Sequence, residues 1–328
     1  MKTWKSALAI VAASVTFNAP TMAQQPYPSR PITVLVPYAA GGFIDVVARL
    51  TAEGLSGELH QPVIVVNRAG ANGKIALRSL VRADPDGYTF LVNNDGGIAV
   101  LQALDPDFQF EVKKDYAPVA QLGKAKYVLA VRGSLPVNNV KDLVEYARTN
   151  RVTFGSPGRG SIPHLSTEIL ARNAGVKMVH IPYPGAAPAL SDLLSGQIDV
   201  LVNSVPGILG MVGSDQIKIL AALSDERIAL IPNVPTLVEA GMEPIQLGAW
   251  VGFFGPAGLP ENVLAAITKG LQSAMNSPAR IKRLKGIGIE PSFLGDETFP
   301  QVYAADVLQW RTFGQKYELK LQNSSNSD

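Results

Sequence analysis

The chain has 328 residues, of which 47% are hydrophobic and 17% charged, and it contains no cysteine. Its 29 Lys+Arg against 27 Asp+Glu leave a formal charge of +2, which excludes the strongly basic footprint of a nucleic-acid-binding protein. The lack of cysteine excludes a disulfide scaffold and a lipid anchor on an N-terminal cysteine, and about 300 residues are enough to bury a core without such staples.

The first 23 residues read as a secretory signal peptide. "MKTWK" is a positive start, "SALAIVAASVTF" is an apolar run of 12, and "APTMA" supplies small residues up to a cleavage point after Ala23. The run is shorter than the roughly 17 residues that a membrane-spanning helix needs. Loss of Lys2 and Lys5 with the leader balances the acidic and basic counts, so a neutral, periplasmic mature protein is expected.

Beyond the leader, strands and helices alternate. "ITVLVP" (residues 32–37) is β-branched without polar alternation, the pattern of a strand buried on both faces. "DVVARLTAEGLSGEL" then places Val46, Val47, Leu50 and Leu55 at near-helical spacing. "PVIVVN", "YTFLVNN", "YVLAV", "VTFGS", "MVHIPY", "IDVLVN" and "IKILAAL" read as further strands, most of them separated by helical stretches. This order predicts an α/β protein with mostly parallel sheets flanked by helices. One sheet cannot hold all these strands, since single cores stop growing at about 250–300 residues. Crossings between two lobes are expected near "AQLGKAKYVLAV" (120–131) and "PIQLGAWVGFFGPAG" (244–258). Lobe 1 would then comprise 24–124 plus 249–328 and lobe 2 would comprise 125–248, with a ligand cleft between them.

Four strand-to-helix loops carry the functional signal. In "VPYAAGGFIDVVARL" (36–50), small residues bring backbone close to a ligand, and a helix starting on Asp45 as N-cap offers free N–H groups to an anion. "TFGSPGRGSIPHLSTEIL" has the same build, with a helix beginning near Pro163, hydroxyls on Ser156 and Ser161, and flexible positions at Gly158 and Gly160. Its spacing matches neither nucleotide-binding glycine motif, so no cofactor is implied. "PYPGAAPALSDLL" turns at Tyr183 and Gly185, and "VNNDGGIAV" follows the strand "TFLV". His60, His164 and His180 form no ligand pair at helical spacing, so no metal is expected.

These segments, together with "QPVIVVNRAGANG", "DPDGYTFLV", "HIPYPGAAPALSDLLSGQID" and "PNVPTLVEAG", resemble the Bug family over essentially the whole mature chain. Bug proteins are extracytoplasmic solute receptors of tripartite tricarboxylate transporters. The resemblance implies a two-lobed, Venus-flytrap binding protein that captures a small carboxylate, dicarboxylate or aromatic, and presents it to a membrane permease. It implies a monomer without cofactor or catalytic residues. The family's binding elements fall on Ala39, Ala40, Gly41, Gly42 and Asp45, then on Ser156, Gly158, Gly160, Ser161 and His164. They continue at Tyr183, Gly185, Ala186 and Ala187, and at Asp199 and Asn203 in the strand after "GQ".

Three departures bear on specificity. Phe43 and Ile44 stand where the family often has Gly and Thr or Ser, so Phe43 either packs on its own lobe or favours an aromatic or long aliphatic acid. Asn93, Asn94 and Asp95 replace small or hydroxylated residues, and Asp95 either meets a ligand ammonium or ring N–H, caps the next segment, or faces solvent. Pro184 replaces a common cation, for which Arg159 is a candidate substitute. Two other functions remain open at this level: the same scaffold as a ligand sensor for a membrane signalling protein, and a hydrolase assembled from Ser161, His164 and Asp199. The hydrolase lacks the G-x-S-x-G elbow.

Overall fold

The computed structural model describes residues 27–245, 250–319 and 321. The leader expected over residues 1–23 lies outside these, as do residues 246–249 of the second crossing. In chain order the elements are β1 (Ile32–Val36), α1 (Phe43–Leu59), β2 (Val63–Asn67), α2 (Lys74–Val81), β3 (Thr89–Asn94), α3 (Asp95–Leu104), β4 (Tyr116–Ala125), β5 (Tyr127–Arg132) and α4 (Val140–Thr149). They continue with β6 (Val152–Ser156), α5 (Ile162–Asn173), β7 (Met178–Pro182), α6 (Ala186–Ser195), β8 (Val200–Ser204), the single turn α7 (Val205–Ile208) and β9 (Ile217–Leu223). The last are β10 (Trp250–Pro256), α8 (Glu261–Asn276), α9 (Pro278–Gly286), β11 (Ile289–Leu294) and α10 (Phe299–Lys316).

The strands form two sheets, one of six strands in the order β11-β4-β10-β3-β1-β2 and one of five in the order β7-β6-β8-β5-β9. β1 pairs in parallel with β2 and β3, and β6 in parallel with β7 and β8. Of these, β1, β3, β6 and β8 are largely buried, as apolar runs announce, whereas β2 and β7 lie at sheet edges with Ile64 and Val179 exposed. Both sheets are nonetheless mixed rather than mostly parallel. β10 and β4 run antiparallel to each other, β11 runs antiparallel to β4, and β5 lies antiparallel between β8 and β9. β4, β10 and β11 carry Pro118, Gly123, Gly252, Gly255 and Pro291, residues that weaken a strand signal, so the sequence pattern shows them poorly.

The chain passes from the first sheet to the second between Ala125 and Tyr127, with Lys126 alone in between, and returns between Leu223 and Trp250. One buried apolar cluster runs through both halves, joining Leu101, Trp250 and Tyr303 to Tyr127, Phe154 and Leu165. Two further clusters fill the other face of each sheet, around Val34, Phe90 and Phe253 in the first and around Val128, Leu193 and Leu201 in the second.

Two groups of buried titratable side chains depend on this packing. In the second sheet, His180 on β7 lies across from Phe154 on β6, and the ring of His164 on α5 sits 4.3 Å from that of His180. His180 Nε2 is 2.7 Å from Ser156 Oγ, and His164 Nδ1 accepts from the Gly160 N–H at 3.3 Å. Burial, with the neighbouring His180 and Arg159, pushes His164 down to about 3, and burial with Arg159 pushes His180 down to about 4. In the first half, Asp95 opens α3 completely buried, and Asp306 on α10 accepts from the Trp250 indole N–H. Burial, reinforced by the Asp306 charge, raises the Asp95 carboxyl well above the ordinary range. Its Oδ1 accepts from the Gly96 N–H while its Oδ2 has no partner among the described residues.

The two groups tilt stability in opposite directions. The unfolded chain protonates its histidines near 6.5, but the folded protein does so only at about 3 and 4, so stability should fall as pH drops below about 6.5. Denaturant unfolding between pH 6.5 and 4.5 should show a slope approaching one proton per histidine, which His180→Gln flattens; a flat wild-type profile would contradict the assignment. Asp95 behaves conversely. An unfolded aspartate releases its proton near 3.8 while the buried one holds it, so this group's contribution is present at low pH and lost as pH rises. Asp95→Asn should therefore raise the melting temperature at pH 8 by a few degrees, with the gain shrinking toward pH 4.5. An equal effect at both pH values would rule out a neutral carboxyl.

Candidate ligand-binding site

The first loop leaves β1 through Pro37 and Tyr38 and enters α1 at Phe43, with Gly42 as the N-cap in extended conformation. Asp45 is therefore not the N-cap expected from the sequence but the third residue of the helix's first turn. Its carboxylate reaches backward to accept from the Gly41 N–H at 3.0 Å, from Arg49 Nε and Nη2 at 2.9 and 3.0 Å, and from Asn67 Nδ2 at 2.9 Å. Burial alone would raise this carboxyl, but the Arg49, Gly41 and Asn67 hydrogen bonds outweigh it and hold Asp45 below its usual range. Asp45 thus stiffens the loop and leaves the first-turn N–H groups of α1 unused. Gly41 takes φ +83°, a conformation that side-chain-bearing residues resist. Phe43 and Ile44 are each only 5% exposed. They pack into the lobe's core and also wall the cleft, so the two readings of Phe43 are not exclusive.

The second loop joins β6 to α5. Ser161 is the N-cap and accepts from the His164 N–H, while its hydroxyl donates to Gly158 O at 2.7 Å. Ser156 is fully buried, with Oγ 3.0 Å from Gly158 O, so it braces the loop from beneath. The third loop joins β7 to α6, whose N-cap Gly185 offers no side-chain cap. Here the lobes meet through the backbone: the Ala39 N–H donates to Pro184 O at 3.1 Å. A Cβ on Gly185 would stand 3.0 Å from Ala39 N and 3.1 Å from Ala39 Cβ. The fourth loop closes the other side, where a Cβ on Gly96 would stand 3.0 Å from Ile162 N.

These loops enclose a cavity of about 40 Å³ between the two sheets. From the first half come Tyr38, Gly42, Phe43, Ile44 and Asn94. From the second come Tyr127, Ser161, Pro163, Ala186, Asn203 and Ser204, with Pro157. The Tyr38 hydroxyl lies 3.0 Å from Oδ1 of both Asn72 and Asn94, and Tyr127 hydrogen-bonds to the Asn94 side chain. A second cavity of about 210 Å³ continues from it, sharing Gly42, Ala186 and Asn203 and adding Gly41, Ala187 and Leu190. No charged side chain lines either space. The starts of α1, α5 and α6 all border the first cavity, and the first-turn N–H groups of a helix carry partial positive charge. An anion is thus the species this geometry favours.

Several expected residues lie elsewhere. Asp199 precedes β8, at the opposite end of the strand from Asn203. It bonds Arg132 at 2.8 Å and accepts from the Thr153 N–H at 2.9 Å, so it fastens the sheet rather than meeting a ligand. Tyr183 donates to Asp192 at 2.6 Å and lines a separate space of about 390 Å³ with Gly158, Arg159, Asn72 and the Lys74–Asp105 pair. Ala40 is exposed at the loop tip, and Asp95, fully buried, lines none of these cavities. Gly160 takes φ +80° against Leu101 and Leu321. Tyr38, Tyr127 and Ser204 were not singled out from the sequence. Tyr38 sits inside the first quoted loop, Ser204 directly follows Asn203, and Tyr127 is the first residue of β5 after the crossing; position beside a predicted strand end was the available signal. The hydrolase reading fails on geometry, since Ser161 and His164 are committed to the α5 N-terminus and Asp199 is at the far end of β8. Among the described residues no cluster of acidic, His or Cys side chains could hold a metal, and no helix is long and apolar enough to cross a membrane.

Known proteins share this fold. The sequence profile of the tripartite tricarboxylate transporter family receptor matches residues 47–319. The curated protein BugT of Bordetella pertussis (strain Tohama I) is 31% identical over 306 residues, covering 92% of this chain and 94% of the relative. Among solved structures, the periplasmic binding protein BugD is 32% identical with a TM-score of 0.85, covering 90% of this chain and 100% of its own. MatC (Rpa3494) from Rhodopseudomonas palustris with bound malate is 29% identical with a TM-score of 0.82, covering 87% and 99%. R. palustris Rpa4515 with adipate is 28% identical with a TM-score of 0.84, covering 90% and 99%. The motifs, the two-lobed fold and these matches agree: the chain belongs to the Bug-type receptor family of the tripartite tricarboxylate transporters, a family of binding proteins rather than enzymes.

Proposed function

We propose that this chain is a periplasmic receptor that captures a small organic carboxylate between its lobes and delivers it to the permease of a tripartite tricarboxylate transporter. The observation that carries the reading is the convergence of the α1, α5 and α6 N-termini on one interlobe cavity without an acidic lining residue. Each such terminus favours an anion by about 0.3–1 kcal/mol when exposed and by up to about 2 when partly buried. The similar proteins MatC and Rpa4515, solved with malate and adipate, support the same ligand class. The basic, apolar and small-residue order of residues 1–23 supports export by a cleaved signal peptide.

In this reading the lobes are 24–124 plus 249–328 and 125–248, and the protein works as a monomer. The crossings at Lys126 and ahead of Trp250 act as the hinge of a closure motion. Closure brings Ala39 onto Pro184 and Gly96 onto Ile162, which excludes water from the bound carboxylate.

Two experiments test this. In a thermal-shift screen of ligand-stripped protein, a micromolar carboxylate at millimolar concentration should add about 4 kcal/mol of stability, and the matching amide should add none. Equal shifts from acids and amides would sink the carboxylate assignment. Gly185 has φ 171°, extended backbone that any residue adopts, so Gly185→Val strains neither lobe but pushes against Ala39. It should weaken ligand binding at least tenfold while the melting temperature of the ligand-free protein stays within a few degrees, and small-angle scattering should show a more open particle. Unchanged affinity would remove closure from the mechanism.

A further inference from the structure

The cavity wall opposite the first loop holds two polar atoms without a partner among the described residues. Asn203 and Ser204 end β8, both 2% exposed. Asn203 Oδ1 is used, accepting from the Ser204 N–H at 2.9 Å, but Asn203 Nδ2 and Ser204 Oγ have no partner among the described residues. Both residues line the interlobe cavity. A buried amide or hydroxyl without a hydrogen bond costs about 1–3 kcal/mol, so two such atoms on neighbouring residues that line one cavity mark a place that a ligand group satisfies.

The rest of that wall is apolar. Phe43, Ile44, Pro157, Pro163 and Ala186 face the same space, and Leu190 and Leu194 line its continuation. No Lys or Arg lines either part, and Asp45, the nearest acid in the loop, already has Arg49 for itself. Arg159 is exposed and lines the separate 390 Å³ space. The helix starts can hold one carboxylate. A second, driven against this wall on closure, would lose water with no cation to replace it, which is strongly unfavourable. A neutral oxygen would instead be matched by one amide N–H and one hydroxyl.

We infer that the ligand is a monocarboxylate with an apolar, aromatic or aliphatic, body that ends in an uncharged hydrogen-bond acceptor, and that Asn203 and Ser204 are the residues that select that end. The inference rests on the carboxylate-receptor reading and narrows it, setting this chain apart from the relatives solved with the dicarboxylates malate and adipate.

Isothermal titration of ligand-stripped wild-type protein with matched probes tests it: 4-acetylbenzoate against terephthalate, and 6-oxoheptanoate against adipate. Each pair has nearly the same shape and differs in whether the far end is a ketone or a second carboxylate. In at least one pair the keto acid should bind ten or more times more tightly than its diacid, and 4-acetylbenzoate should bind more tightly than benzoate. Asn203→Leu removes the amide donor without adding a charge, and Ser204→Ala removes the hydroxyl. Either should bring the ratio of 4-acetylbenzoate to benzoate affinity down toward one, a change of ratio that a purely structural defect would not produce. Diacids binding as tightly as keto acids, or more tightly, would overturn the inference and leave the carboxylate receptor standing. Binding of none of these acids at millimolar concentration would overturn the receptor reading and the inference together. A 4-acetylbenzoate preference that survives both substitutions would overturn the roles of Asn203 and Ser204.

Discussion

Everything distinctive about this molecule follows from a requirement of helix geometry: the first turn of every α-helix has N–H groups that the helix itself cannot satisfy. Here three such turns, at Phe43, Ile162 and Ala186, border the same interlobe space. They can do so because each helix follows a strand of a sheet whose carboxyl ends face the other sheet, the position where open α/β sheets bind ligands. Side chains in the loops serve mainly to hold the loops in place, with Ser161 taking the His164 N–H of α5 for its own cap. Asp45 ties back to Gly41, Ser161 to Gly158, and Ser156 supports the same carbonyl from beneath. The hydroxyls that look like ligand donors in the sequence are mostly occupied in holding the loop.

The same economy governs the contact between lobes. Ala39, Gly185, Gly96 and Ile162 meet through backbone or nearly so, and the apolar cluster that includes Leu101, Tyr127 and Trp250 runs across the crossing. The two halves thus share part of one core.

Much of this was legible in the sequence. The parallel strands β1, β2, β3, β6, β7 and β8 announced themselves by short runs rich in apolar and β-branched residues, and the loops after β1, β6 and β7 by their small residues. The antiparallel strands were obscured because Pro118, Gly252 and Pro291 mimic breaks, and because an arm leading to a crossing breaks the strand–helix rhythm. In the site, direction along a strand was the main loss. Asp199 and Ser204 bracket a strand of five residues, and at about 3.3 Å per residue they stand at opposite ends of the sheet. Nor does a sequence reveal whether a side chain reaches forward or back, which is why Asp45 reads as a cap and behaves as a brace. Asp95, open to three readings, turns out to be wholly buried, a placement that only tertiary packing decides.

In the proposed function the anchor for the ligand's charge is main chain, which few substitutions short of proline can delete, while the far wall is ordinary side chain from Phe43, Ile44, Asn203 and Ser204. The two parts of the pocket are therefore free to evolve at different speeds. Duplicated copies of such a gene can drift through new specificities without passing through a form that has lost its grip on anions. A lineage built this way diversifies by repainting one wall of an otherwise inherited room.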